Sequence, residues 1–205
     1  MSSNHQTVPD IDISQADQGV VDAFGHISAR NPDNASTYKA YPDVNAVVHF
    51  HAAAVVPFGV LGPDVAPYKA IYLMASFLSS SPAPIFDIAD SFGHGTDILI
   101  TSVAKGDALA AKLNEPGGIA GIEGGKRTVV LMRGHGAMLV AGDLMTATFR
   151  AVYAVNNAEI LYQALQFGGP KAITFLSAGE CFNATVSIGG QVDRPWNLWS
   201  SQIQL

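Results

Sequence analysis

Residues 143–166 contain neither Gly nor Pro, and Phe149, Val152, Tyr153, Ile160, Leu161 and Leu165 recur near helical spacing until Gly168-Gly169-Pro170 stops them. The pattern predicts one long helix, which must bury its apolar stripe against another layer. That layer is legible just upstream. Thr128-Val129-Val130-Leu131-Met132 and Ala137-Met138-Leu139-Val140 are short apolar runs on either side of Gly134-His135-Gly136, which suits two buried strands joined by a bend. A third such run, Ala46-Val47-Val48-His49-Phe50-His51, follows Pro42-Asp43 and precedes a stretch of small residues, and its centre is expected at Val48. Residues 97–101 also read as a strand, residues 52–61 and 103–113 read as helices, and residues 68–78 fit either.

With about 150 residues typical of a domain, 205 residues favour one, assigned to 13–205 behind a flexible tail at 1–12. The chain is 48% hydrophobic and only 14% charged, against roughly 25% charged on average, so disorder is excluded. So little charge suggests apolar surface hidden in subunit contacts, and an oligomer is expected. The formal net charge is −6 with no basic cluster, which argues against nucleic acid as a partner, and no uncharged apolar run is long enough to span a membrane. A lone cysteine, Cys181, cannot form an internal disulfide and reads as a buried, inert thiol. The polar start lacks the pattern of a secretory leader, so a cytoplasmic protein is expected. Neither a G-x-G-x-x-G nor a P-loop pattern supports nucleotide binding.

His49 and His51 are two apart on a predicted strand, so both imidazoles point to one face at a spacing able to grip a metal ion. The other reading is two polar residues on an outward face, although the flanks Val47, Val48, Phe50 and Ala52 are not those of a solvated edge. His135, between two glycines and two strands, is either a third ligand or a simple turn histidine. Three neutral imidazoles would leave coordination positions open, as in a catalytic site, where a divalent ion polarises a carbonyl or carboxylate and stabilises an enolate.

Three segments together carry a specific resemblance: Gly25-His26-Ile27-Ser28-Ala29-Arg30-Asn31-Pro32, Val44-Asn45-Ala46-Val47-Val48-His49-Phe50-His51 and Met132-Arg133-Gly134-His135-Gly136. In order and separation they resemble the class II aldolase/adducin family, over most of the chain. The resemblance implies a three-layer α/β/α sandwich around a mixed, mostly antiparallel sheet. It also implies a homotetramer with active sites at subunit interfaces, and a divalent metal held by His49, His51 and His135. Zn²⁺ is the first expectation for that ion, with Mn²⁺, Fe²⁺ or Co²⁺ open.

The departures from the family pattern are informative. Sugar-phosphate aldolases of the family carry Gly-Asn-x-Ser where this chain has Gly25-His26-Ile27-Ser28, and their later Thr-Gly loop has no counterpart here. The chain is more similar to the branch containing decarboxylases of aromatic carboxylic acids, which its Asp193-Arg194-Pro195-Trp196-Asn197-Leu198-Trp199 end also resembles. The family's acid/base Glu or Asp lies at the end of a long insertion ahead of the first ligand. Here the equivalent position falls on Arg30, as if the carboxylate were deleted with its loop. Replacement proton carriers are His26, His94, Asp87, Asp90 and Tyr72, with His94 singled out by its flanking glycines and the Asp residues better suited to capping or solvating a turn. Arg30 and Arg133 are candidates for gripping a substrate carboxylate. Tyr153 and Tyr162 read as packing residues, and Trp196 and Trp199 as packing on a neighbour or roofing a pocket. The expected activity is a metal-dependent lyase, decarboxylase-like or retro-aldol, acting on a non-phosphorylated small molecule. The alternatives are a cyclisation or dehydration enzyme and a non-catalytic adducin-like module.

Overall fold

The computed structural model describes residues 25–29 and 36–202. Its strands are β1 (His26–Ala29), β2 (Ala46–Phe50), β3 (Ile85–Phe86), β4 (Val129–Met132) and β5 (Gly136–Ala141). They form one sheet in the order β1-β2-β5-β4-β3, antiparallel throughout except for the parallel pair β3 and β4. The helices among the described residues are α1 (Ser36–Ala40), α2 (Val56–Leu61), α3 (Ile88–Phe92), α4 (Val103–Ala111), α5 (Leu144–Gly168), α6 (Ala178–Gly189) and α7 (Asp193–Gln202), with a 3-10 segment at Leu73–Leu78.

β4 and β5 are buried at every position, which is why their sequences are unbroken apolar runs rather than alternating ones. On one face of the sheet Val48, Phe50, Leu131 and Leu139 share a core with Ala151, Ala154, Val155, Ala158 and Leu161 of α5. The alanines keep that helix close to the strands. On the opposite face Val130, Met132, Met138 and Val140 share a second core with Tyr38, Tyr41, Leu109 and Leu113 from the α1 and α4 regions. Two cores on opposite faces of a mixed sheet make the α/β/α sandwich that the resemblance implied.

α5 starts where Asp143 caps it, the carboxylate accepting from Thr146 N at 2.8 Å and from Thr146 Oγ1 at 2.8 Å. Midway, Asn157 is fully buried; its side chain donates to the Lys69 carbonyl and accepts from Ile71 N, both at 3.1 Å, and so ties the preceding loop to the helix. Residues 68–78, which suited either helix or strand, are loop followed by the 3-10 segment.

The strand expected at 97–101 is not formed. Asp97 accepts from Leu99 N at 3.1 Å and Thr96 Oγ1 from Ile98 N at 3.1 Å, so side chains hold the amides a ladder would need. Ile98 sits at φ 56°, outside extended space, and Lys105 Nζ bonds the Leu99 carbonyl at 2.9 Å. Trp199 is buried within its own chain, its ring 6.1 Å from that of Tyr153, while Tyr162 is exposed. Cys181 is buried and free, and burial pushes its thiol pKa up. No helix among the described residues is long and apolar enough to cross a membrane. The tail at 1–12 lies outside the described residues.

Candidate metal centre

Strand parity decides what β2 offers to each face. Ala46, Val48 and Phe50 are buried in the α5 core, which turns His49, and His51 just past the strand end, to the other face. β5 pairs with β2 so that Ala137 stands opposite Phe50 and Met138 opposite His49. β4 pairs with β5 through Met132 and Gly136, leaving Arg133, Gly134 and His135 as the turn between them. This bend requires glycine at two points. Gly134 has φ 67°, and Gly136 has φ 137° with its missing side chain directed at the Phe50 carbonyl. The tight turn brings His135 to the end of β2.

The three imidazoles converge. Ring centroids are 4.7 Å apart for His49 and His51, 4.8 Å for His49 and His135, and 5.0 Å for His51 and His135. One ligand nitrogen from each lies within 4.8 Å of the others, and Nε2 of His49 is 2.9 Å from Nε2 of His51. Nitrogens around a tetrahedral zinc stand roughly 3.3 Å apart, so this set needs only side-chain rotation to close on an ion. His49 Nδ1 is 3.2 Å from the Ala137 carbonyl, which can only accept; Nδ1 therefore carries the hydrogen and Nε2 offers its lone pair. Nδ1 of His135 is buried without a hydrogen-bond partner. Burial, then the neighbouring His135, His51 and His26, push the His49 pKa down to about 4 against the pull of the Ala137 carbonyl. His135 is shifted down by burial and by His51, with the Ile98 backbone opposing. Both rings are thus held in the neutral, metal-binding form near neutral pH. The donor set fits a divalent ion.

The other candidates divide by position. His26 is the cross-strand partner of His49, exposed, with its ring 5.5 Å away, so it flanks the cluster. His94 lies on the exposed turn after α3 and lowers the Asp87 pKa, a shift owed first to Arg133. Asp87 caps α3 by accepting from Ala89 N at 2.9 Å and pairs with Arg133 through Nε. Asp87 is thereby occupied as a cap and ion-pair partner. Asp90 is exposed in the first turn of α3. Tyr72 packs against the α5 core, and burial followed by Tyr153 raises its pKa. Arg30 lies outside the described residues. Sequence reasoning missed two features: the Ala137 carbonyl, which has no signature in a side-chain pattern, and the Asp87–Arg133 pair, whose members are far apart in the chain.

A family model, the Class II Aldolase and Adducin N-terminal domain, matches residues 15–162. The decarboxylase tropJ of Talaromyces stipitatus is 28% identical over 241 residues, taking in 90% of this chain and 88% of that protein. Since that stretch is longer than the 205 residues here, the relative has residues within it that this chain lacks. The 3,4-dihydroxyphthalate decarboxylase of Rhodococcus jostii is 24% identical over 152 residues, 74% of this chain, and the chain spans only 55% of that relative's length. The L-fuculose 1-phosphate aldolase from Glaciozyma antarctica PI12 shares the fold with a TM-score of 0.59 at 12% identity, over 87% of this chain and 78% of that one. The chain belongs to the class II aldolase and adducin family.

Proposed function

We propose that the protein is a divalent-metal-dependent carbon–carbon lyase that decarboxylates a non-phosphorylated hydroxylated aromatic or keto acid. The observation that carries this reading is the convergence of three imidazoles, with His49 oriented by the Ala137 carbonyl. His49, His51 and His135 would hold the ion, which when bound supplies a Lewis acid that draws electron density from a chelated hydroxy-carboxylate. Zinc is the first candidate on the strength of an all-imidazole donor set, although that set also suits other divalent transition metals. The absence of the Gly-Asn-x-Ser phosphate loop and the decarboxylase names of the two relatives support a non-phosphorylated acid over a sugar phosphate.

The chain's own residues then have two tasks. His49, His51 and His135 would hold the ion at which one edge of the substrate is anchored, with the Ala137 carbonyl keeping His49 turned towards it. When the bond to the carboxyl carbon breaks and carbon dioxide leaves, the electron pair stays on the substrate carbon and must take up a proton. His26 is the proton carrier in this reading, because its imidazole flanks His49 across the β1–β2 ladder. Its exposure allows the spent ring to be reprotonated from water. Exposed Val60, Leu61, Val65 and Leu73 provide apolar surface of the kind a homotetramer covers, which is the assembly proposed.

The test is to reconstitute the purified protein with Zn²⁺, Mn²⁺, Fe²⁺ or Co²⁺ separately, measure bound metal, and follow carbon dioxide release from dihydroxylated benzoates and 3,4-dihydroxyphthalate. Near-stoichiometric metal in the wild type, its loss in His51→Ala, and retained metal with impaired turnover in His26→Gln are expected. A protein that holds no stoichiometric divalent metal under any loading condition would refute the proposal and favour a non-catalytic module.

A further inference from the structure

A cavity lies on the opposite side of the sheet from the histidines. It has a volume of about 240 Å³ and sits between α6, the 3-10 segment and the first turns of α5. Phe77, Phe149, Ile122 and Ile188 give it apolar walls, and all four belong to or pack on the α5-face core, whereas His49 faces the other way. A cavity of about 150 Å³ with apolar walls is large enough to take up benzene, so this one accommodates a single substituted ring.

Its polar wall is unusual. Arg150 lines the cavity and is 6% exposed, with its guanidinium carbon 5.8 Å from the Phe77 ring centroid. Both of its hydrogen bonds leave from one nitrogen: Nη1 donates to Glu123 Oε1 at 2.8 Å and to the Val140 carbonyl at 2.9 Å. Among the described residues, Nε and Nη2 have no acceptor. That Nε/Nη2 edge is the side of a guanidinium that grips a carboxylate with two parallel bonds. Other polar groups in the wall are already engaged, Thr185 Oγ1 with Ser76 Oγ at 3.0 Å and Thr146 Oγ1 with Asp143 at 2.8 Å. Glu123, which pairs with Arg150, sits at φ 47°, a conformation uncommon for an L-residue. The fold thus maintains a buried, oriented arginine with its carboxylate-binding edge unused beside an apolar cavity.

We infer that this cavity binds a small single-ring or branched apolar carboxylate, its carboxylate on the Nε/Nη2 edge of Arg150 and its apolar body against Phe77 and Phe149. The site is separate from the histidine cluster and does not depend on the lyase reading.

The probe is 3-fluorobenzoate, followed by its fluorine resonance, with 3-fluorotoluene as the isostere lacking a carboxylate. Four proteins are titrated: wild type, Gly189→Phe, Arg150→Lys and His49→Ala. Gly189 lines the cavity at its exposed edge, and a Cβ added there meets nothing within 4 Å, so the helix end accepts Phe, which narrows the mouth. Its folding is verified by thermal melting, which keeps the test decisive if Arg150→Lys does not fold. Wild type and His49→Ala should bind the probe equally, and Gly189→Phe and folded Arg150→Lys should bind it about tenfold more weakly or worse. No binding by wild type, undiminished binding by folded Gly189→Phe, loss of binding in His49→Ala, or equal binding of 3-fluorotoluene would each overturn the inference.

Discussion

Gly136 is the residue on which the geometry of the histidine cluster turns, and replacing it by alanine tests whether the sheet positions the site. Its φ of 137° is one that L side chains rarely adopt, and a Cβ there would collide with the Phe50 carbonyl and stand 3.1 Å from the Cα of His51. Backbone strain of this kind costs about 1–2 kcal/mol, and forcing β2 away from β5 adds about 1–3 kcal/mol of overpacking. The sum, about 2–5 kcal/mol, corresponds to a fall in Tm of roughly 6–15 °C for a domain of this size. Gly134→Ala is the internal control: its φ is 67° but nothing lies within 4 Å of an added Cβ, so only the strain applies and Tm should fall by about 3–6 °C. Both variants keep all three imidazoles. Only Gly136→Ala pushes on the strand end that carries His51, so it alone should also lose affinity for added divalent metal, measured by competition with a chromophoric chelator. Equal melting temperatures for the two variants, or wild-type metal affinity in Gly136→Ala, would refute the claim that the β2–β5 contact sets the cluster.

In metal-free protein the His49 pKa of about 4 lies below the unfolded value of 6.5, so unfolded chains bind more protons between those limits; stability is full above pH 6.5 and falls by about 3 kcal/mol as pH drops towards 4. Denaturant unfolding from pH 7 to 4.5 should show this slope in wild type and a shallower one in His49→Gln, and identical slopes would contradict it. Asp143→Ala removes the carboxylate that accepts from both Thr146 N and Thr146 Oγ1, which should cost about 1 kcal/mol and lower Tm by roughly 2–4 °C without changing metal binding.

Much of the fold was legible because its segments obey a single period. α5 and the β4–β5 hairpin could be read from residue spacing, since burial on one stripe or on both faces leaves that imprint on the sequence. Residues 97–101 misled because Ile98-Leu99-Ile100 has strand composition while Thr96, Asp97 and Lys105 capture the local backbone by side-chain bonds that composition does not encode. The shared face of His49 and His51 was legible through the period of two, whereas the glycines around His135 suited a turn as well as a ligand and the resemblance alone selected it. What pairs with what across the chain was not. Asp87 with Arg133 and Glu123 with Arg150 are long-range partners, and each half alone looks like an ordinary surface charge.

The short span between Ser28 and His49 bears on charge as well as on proton transfer. Among the described residues no carboxylate belongs to the cluster, so a divalent ion held by three neutral imidazoles would keep its full double charge. Such a centre in a half-buried site favours an anionic partner that brings its own oxygen donors, which a hydroxy-carboxylate does and an uncharged sugar does not. On β1, His26 is the ring that flanks His49. A restored acid should therefore act as an antagonist: Ile27→Glu points to the α5 face and should leave metal charge and substrate preference unaltered, whereas His26→Glu, beside His49, should tighten metal binding and weaken affinity for anionic substrates. Equal effects of the two substitutions on anion affinity would show that substrate selection does not arise from the charge left on the three-histidine centre.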